Sequence, residues 1–283
     1  NDAEIIQEME NNIFLEDFMK KAQIMSKFFI ASLFFICASF ASAQDALEIA
    51  KKNDKCDASK ITVYSARMVL KNKNGAERVR EFTSKTKKFG DVEKSVFVFS
   101  KPKDVEGSAF LSFSYEAKAD GTKQDDDSWL YMPALKKVRR ISGSGKDEDF
   151  MGSDFTFDDL GSRGIYKDDF TLLGQEDVDG VSCFKLEAKS KAVSKYPRHI
   201  YWIRKDNYFT QKSETYDKKD ALKRVMTIKK AEVIDGFYTQ TSFYMEDVQT
   251  GHSTLIEMSS VSHSAPVDDN IFTTSALERG IVR

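Results

Sequence analysis

From about residue 59 onward, apolar and polar positions alternate along the chain. Runs such as ITVYSARMVL (61–70), SVFVFS (95–100), SAFLSFSYEA (108–117) and HIYWIR (199–204) recur with turn-forming residues between them. A period of two is the mark of strands, because successive side chains point to opposite faces. Asn74-Gly75, Asp120-Gly121, Asp179-Gly180, Asp235-Gly236 and Thr250-Gly251 fall between the runs, where hairpin turns call for positive φ. The pattern predicts one antiparallel meander of about ten or eleven strands. Strand–helix–strand alternation and internal repeats are both missing, which argues against a doubly wound sheet and a solenoid.

Helical spacing is confined to the flanks of this pattern. DALEIAKKN (45–53) places Ala46, Ile49 and Ala50 on one face behind an acidic start and predicts a short helix. APVDDNIFTTSALERGI (265–281) reads as a turn and one helical stretch that docks Ile271, Phe272 and Leu277. A sheet this long must curl, so one face becomes concave. Few helical segments are on hand to fill it, although the chain holds 22 Phe, most of them in predicted strands.

The N-terminal part follows another logic. Residues 25–43 run MSKFFIASLFFICASFASA: one cation at Lys27, a short apolar core from Phe28 to Phe40, and small residues at 41–43. These are the three parts of an export signal, and the apolar run is shorter than the roughly 20 residues that cross a bilayer. Ile36 before Cys37 is too large for a lipidation site, so a soluble exported protein is expected. Residues 1–24 form an acidic amphipathic stretch ahead of Met25 and are read as an over-extended segment, leaving 44–283 as one domain. In an oxidising compartment Cys56 and Cys183 could pair, and spacing leaves that open.

Composition narrows the function classes. With 43 basic and 45 acidic residues the formal net charge is −2, which gives no footprint for nucleic acid. The three histidines, His199, His252 and His263, lack metal-ligand spacing, and no phosphate-cradling frame or nucleophile elbow accompanies Gly143-Ser144-Gly145 or Gly152-Ser153-Asp154. No cofactor, metal or catalytic residue is therefore expected. Acid-rich loops at 125–127 and 154–159 keep a hydrolase as the lesser alternative.

The most informative stretch is WLYMPALKKVRRISGSGKDEDFMGSDFTFDDL (129–160). Trp129 and Tyr131 alternate with Leu130 and Met132, a strand apolar on both faces. Lys136, Lys137, Arg139 and Arg140 then form a cationic cluster, read either as a solvated turn or as a docking site for an acidic partner or lipid head group. Residues 142–149 are too polar for a core element, whereas Phe150, Met151, Phe155, Phe157 and Leu160 are too apolar for a free loop. They suit a mobile flap over the open side of the sheet, with Ser153 or Asp154 capping a short helix through Leu160, or else a fixed helix plugging the core.

At these residues the chain resembles the outer-membrane lipoprotein-sorting protein family, the LolA-like periplasmic carriers. The resemblance rests on WLYMPALKKVRRI (129–141), FMGSDFTFDDL (150–160) and the supporting phrase FSKPKDVEGSAFL (99–111), and spans about Ala46 to Gly280. It implies a mainly β, LolA/LolB-like half-barrel: a single curved antiparallel sheet covered by a few helices and a lid loop around a cavity for acyl chains. It further implies a monomeric, non-enzymatic carrier of lipid or lipoprotein, working toward the outer membrane beside an acceptor or an RND-type exporter. Related sorting chaperones latch the empty lid with an arginine on an early strand, for which Arg67, Arg78 and Arg80 are the candidates. Phe82, Phe97, Phe99, Phe110, Phe113, Trp129, Tyr131, Met151, Phe155 and Phe157 are the expected ligand-binding residues, about half of which strand parity should send elsewhere. A sensor that detects mislocalised lipoprotein and binds an anti-sigma factor would use the same half-barrel.

Overall fold

The structure, a computed structural model, describes residues 45–116, 124–161 and 164–280. The segments read as over-extended (1–24) and as an export signal (25–43), and the Asp120-Gly121 turn, lie outside the described residues. Leu47–Arg283 forms one compact unit.

A helix α1 covers residues 45–54. Thirteen strands follow: β1 (Ile61–Lys71), β2 (Glu77–Phe89), β3 (Val92–Lys101), β4 (Ala109–Tyr115), β5 (Asp127–Met132), β6 (Lys137–Ile141), β7 (Asp168–Val178), β8 (Val181–Ser190), β9 (Arg198–Arg204), β10 (Thr210–Tyr216), β11 (Leu222–Ile234), β12 (Phe237–Asp247) and β13 (His252–Ser262). That is more than the alternation suggests. The short, polar pieces KVRRI and TQKSETY, which lie in alternating runs of the sequence, pair with their neighbours as strands β6 and β10.

The strands form one curved, unclosed antiparallel sheet in the order β6-β5-β4-β3-β2-β1-β13-β12-β11-β10-β9-β8-β7. The first six strands run outward from β1, and the last seven run back inward to β13, which pairs with β1 along most of its length. The free edges, β6 and β7, are therefore consecutive in sequence, and residues 142–167 must lead from one edge of the sheet to the other. Turn chemistry supports the meander: Asp235 and Gly236 both take positive φ (51° and 87°), the conformation a two-residue hairpin needs.

Parity sorts the two faces. On β3 and β4, Phe97, Phe99 and Phe110 face the inner side, with Phe82 of β2 and Leu130 of β5. Their neighbours Val96, Val98, Ala109 and Leu111 face outward and are covered by Ile271, Phe272, Ala276 and Leu277. These last come from a 3-10 turn (Asp269–Ile271) and helix α2 (Thr274–Arg279), which is capped by the Thr273 hydroxyl accepting from the Ala276 amide at 3.1 Å. The docking expected of the C-terminal segment thus occurs, and it takes place on the outer face. Cys183 is buried with Ile200 and Trp202 away from the inner face, and both Cys56 and Cys183 are free thiols.

Candidate functional site

Residues 142–167 lie against the inner face as a flap built from turns. Single 3-10 turns at Phe150–Gly152 and Asp158–Leu160 flank a bridge between Asp149 and Thr156, where a helix through Leu160 was expected. A helix advances about 100° per residue, which would set Phe155 and Phe157 on opposite sides. The turns instead bury both against the same core. The Ser153 hydroxyl ties the tight segment together, donating to the Phe150 carbonyl at 2.7 Å and accepting from the Phe155 amide at 3.2 Å.

Phe150 is the centre of the contact and is fully buried. Its ring lies 6.2, 5.7 and 5.7 Å from those of Phe97, Phe99 and Phe110, and 5.5 Å from that of Phe157. Gly152, at φ 71°, sits over the Arg80 guanidinium, 3.9 Å from where a Cβ would be, so a side chain there would meet only ordinary contact but would be strained by the left-handed backbone.

Polar ties then pin the flap to distant strands. The side chain of Arg224, on β11, is 4% exposed and donates through Nη1 to the Asp154 carbonyl at 2.7 Å and to Asp159 Oδ2 at 2.8 Å. Burial pushes the Asp159 carboxyl up, but the charge of Arg224 and the amide and hydroxyl of Thr156 outweigh it and hold it below the ordinary carboxylate range. Asp154 itself is held by β13: Thr254 Oγ1 donates to its carboxylate at 2.6 Å and accepts from its amide at 3.0 Å, while His252 Nδ1 lies 2.8 Å from Oδ2.

Between this flap, helix α1 and the strands on the β13 side lies a cavity of about 550 Å³. Phe82, Phe97, Phe150 and Phe155 form one wall of it. Met226, Phe243, Met245, Ile256 and Met258 form the opposite wall, and Tyr201 and Ile203 extend it along β9. Flexible thioethers beside flat rings make a lining that adapts to apolar ligands of varied shape.

The residues predicted from sequence divide accordingly. Phe82, Phe97 and Phe155 line the cavity, whereas Phe99, Phe110 and Phe157 belong to the packed aromatic core next to it, with Met151 packed against that core. Phe113, Trp129 and Tyr131 do not face the cavity: they have outward parity and pack around the C-terminal segment. The methionine wall was missed, although Met226 on β11, Met245 on β12 and Met258 on β13 follow strand parity and could have been found by extending the face assignment across β1 to β13.

The expected cationic cluster is exposed but is not one patch. Arg139 has inward parity and pairs with Glu148 of the flap at 3.5 Å, while Arg140 has outward parity and pairs with Asp127. Lys136 occupies a left-handed turn (φ 48°), and Lys137 opens β6. Among the candidate latch arginines, Arg67 pairs with Glu257 at 3.7 Å with both side chains half exposed. Arg80 lies under Gly152 with Nη1 buried and without a hydrogen-bond partner among the described residues. Arg224, on a late strand, also bonds the flap, since folding back of the meander brings β11 to it.

An unclosed curved sheet with an inner flap over a cavity is a half-barrel, and solved structures share that fold. A LolA superfamily protein from Nitrosomonas europaea shares the fold at 21% identity, with 81% of this chain and 98% of that chain covered and a TM-score of 0.62. A DUF1329 family protein from Desulfovibrio piger is 34% identical over 83% of this chain and 99% of that one, with a TM-score of 0.77. A domain from Vibrio parahaemolyticus, named for outer-membrane lipoprotein sorting, is 34% identical over 84% of this chain and all of that one, with a TM-score of 0.76. A family profile described as that of an uncharacterized protein matches residues 91–279. This chain belongs to that family, with the DUF1329 protein and the lipoprotein-sorting domain among its relatives. No curated protein matches it significantly.

Proposed function

We propose that this chain is a periplasmic, non-enzymatic carrier that holds an acyl chain of a lipid or lipoprotein in the inner cavity and delivers it toward the outer membrane. The observation that carries this reading is the mainly apolar space of about 550 Å³ left between the flap and the β11–β13 wall, with polar residues such as Asp158, Asp168 and His199 also in its lining. A water-sized volume is about 30 Å³, so this space takes on the order of eighteen methylene-sized groups, one long acyl chain. Withdrawing such a chain from water is worth about 0.8 kcal/mol per methylene, ample to hold it in transit. A cargo with several chains would require the flap phenylalanines to leave the inner face as well.

Release then depends on the flap. Its aromatic packing and the Arg224 and Asp154 ties hold it down, and an acceptor has to offset both. The exposed cations at 136–140 suit an anionic membrane or an acidic face of a partner such as an RND-type exporter.

Uptake of a fluorescent fatty acid tests the reading. The wild-type protein should bind it, and Phe155→Glu should abolish binding while leaving the circular dichroism unchanged. Uptake unaltered by that substitution would remove the flap and its cavity from the mechanism. Replacing Lys136, Lys137, Arg139 and Arg140 together by Ser should slow transfer to anionic vesicles, and transfer at the wild-type rate would return these residues to a solvated turn.

A further inference from the structure

A second cavity, of about 560 Å³, opens at the rim of the sheet where the β8–β9, β10–β11 and β12–β13 connections meet the flap. Its wall is much richer in charged side chains than that of the first. Lys195, Lys218, Lys219, Lys223 and Arg224 bring five cations to its wall. Four carboxylates share that wall, Asp149 among them, and the other three are already engaged by local donors. Asp217 accepts from the Lys219 and Ala221 amides and from Gln249. Asp247 accepts from the Gln249 and Thr250 amides and pairs with Lys223 at 2.6 Å. Asp154 is held by His252 and Thr254. The ammonium groups of Lys218 and Lys219, by contrast, stand on exposed residues of the β10–β11 turn.

Two residues line both cavities, Tyr196 and Arg224, with the guanidinium 4.5 Å from the ring centroid. Arg224 spends Nη1 on the flap, but its Nε is buried with no hydrogen-bond partner among the described residues.

The geometry points to a head-group site: the rim cavity takes a phosphate ester whose hydrocarbon chain lies in the apolar cavity, with Lys218 and Lys219 facing the phosphate oxygens. Ammonium and guanidinium donors are the groups that recognise such oxyanions. The inference rests on the carrier reading and adds to it the class of cargo, an anionic amphiphile.

Calorimetric titration of the whole chain with monododecyl phosphate, 1-dodecanol and inorganic phosphate, at one fixed ionic strength, tests it. The phosphate ester should bind at least about tenfold more tightly than the alcohol, a preference that shrinks as salt rises. In Lys218→Ser/Lys219→Ser the ratio should fall to near one, whereas Lys229→Ser/Lys230→Ser, an equal loss of charge further along β11, should keep it. Equal affinities in the wild type, or a ratio unmoved by the Lys218/Lys219 change, would overturn the head-group site while leaving the carrier reading in place. Inorganic phosphate binding as tightly as the ester would make this a free-anion site and overturn the link to the cargo. Failure of both dodecyl compounds to bind would instead overturn the carrier reading itself.

Discussion

The inner face has two halves that use different side chains for different ends. On β2 to β5, Phe82, Phe97, Phe99 and Phe110 form a rigid aromatic bed, and the flap sets Phe150 and Phe157 into it with ring separations of 5.3 to 6.2 Å. On β11 to β13 the inward positions hold Met226, Phe243, Met245, Ile256 and Met258, and these border open space. Flat rings stack into a defined seat and gain geometry-specific attraction beyond their buried area. Thioethers fit many shapes and define none. One half thus fixes where the flap sits, and the other leaves the ligand undefined beyond being apolar.

The largest expected effect lies in the aromatic half. Phe150→Ala removes a fully buried ring that contacts four others and should cost about 3–5 kcal/mol in denaturant unfolding. A loss below about 1 kcal/mol would mean that the flap is not seated by its aromatics. Next comes the polar tie: Arg224→Gln leaves Asp159 without its charged partner and should cost about 2 kcal/mol, with faster hydrogen exchange at residues 150–160. Unchanged exchange there would show that packing alone holds the flap.

In the methionine half the expected signs separate. Met226→Trp should change stability by less than about 1 kcal/mol, since the ring enters vacant space, yet weaken fatty-acid binding at least about tenfold. Destabilisation as large as that of Phe150→Ala would show the two halves to be equally packed. The smallest effect concerns pH. Asp159 has a folded-state pKa held below its ordinary value of about 3.9, so its contribution is present above that value and is lost as pH falls through the lower folded one. Stability of the flap, followed by exchange, should therefore decline in acid below about pH 4, a decline that Asp159→Asn should reduce.

Much of the scaffold could be read along the chain. Most strands announce themselves by alternation, several hairpins by a pair such as Asp235-Gly236, and the flap by apolar residues set among Gly, Ser and Asp. Half of the site could not be read so. The early phenylalanines stood out because their strands are rich in aromatics, while Met226 and Met258 sit among Lys, Arg, Thr and Ser, in runs such as LKRVMTIKK that look solvated. Outward-facing Trp129 and Tyr131 drew attention by size, and only their register opposite β4 reveals which side they serve.

Period, turn residues and local composition are properties of neighbours in the chain, and for that reason the linear order of residues already specifies a single antiparallel sheet with an apolar flap. The tie from Arg224 to Asp159, 65 positions away, and that from His252 to Asp154, 98 positions away, exist because β13 returns to lie beside β1. Which face each ring serves, where space is left vacant and which cation holds the flap are outcomes of that long-range closure, in which residues remote in the chain meet through the register of the sheet.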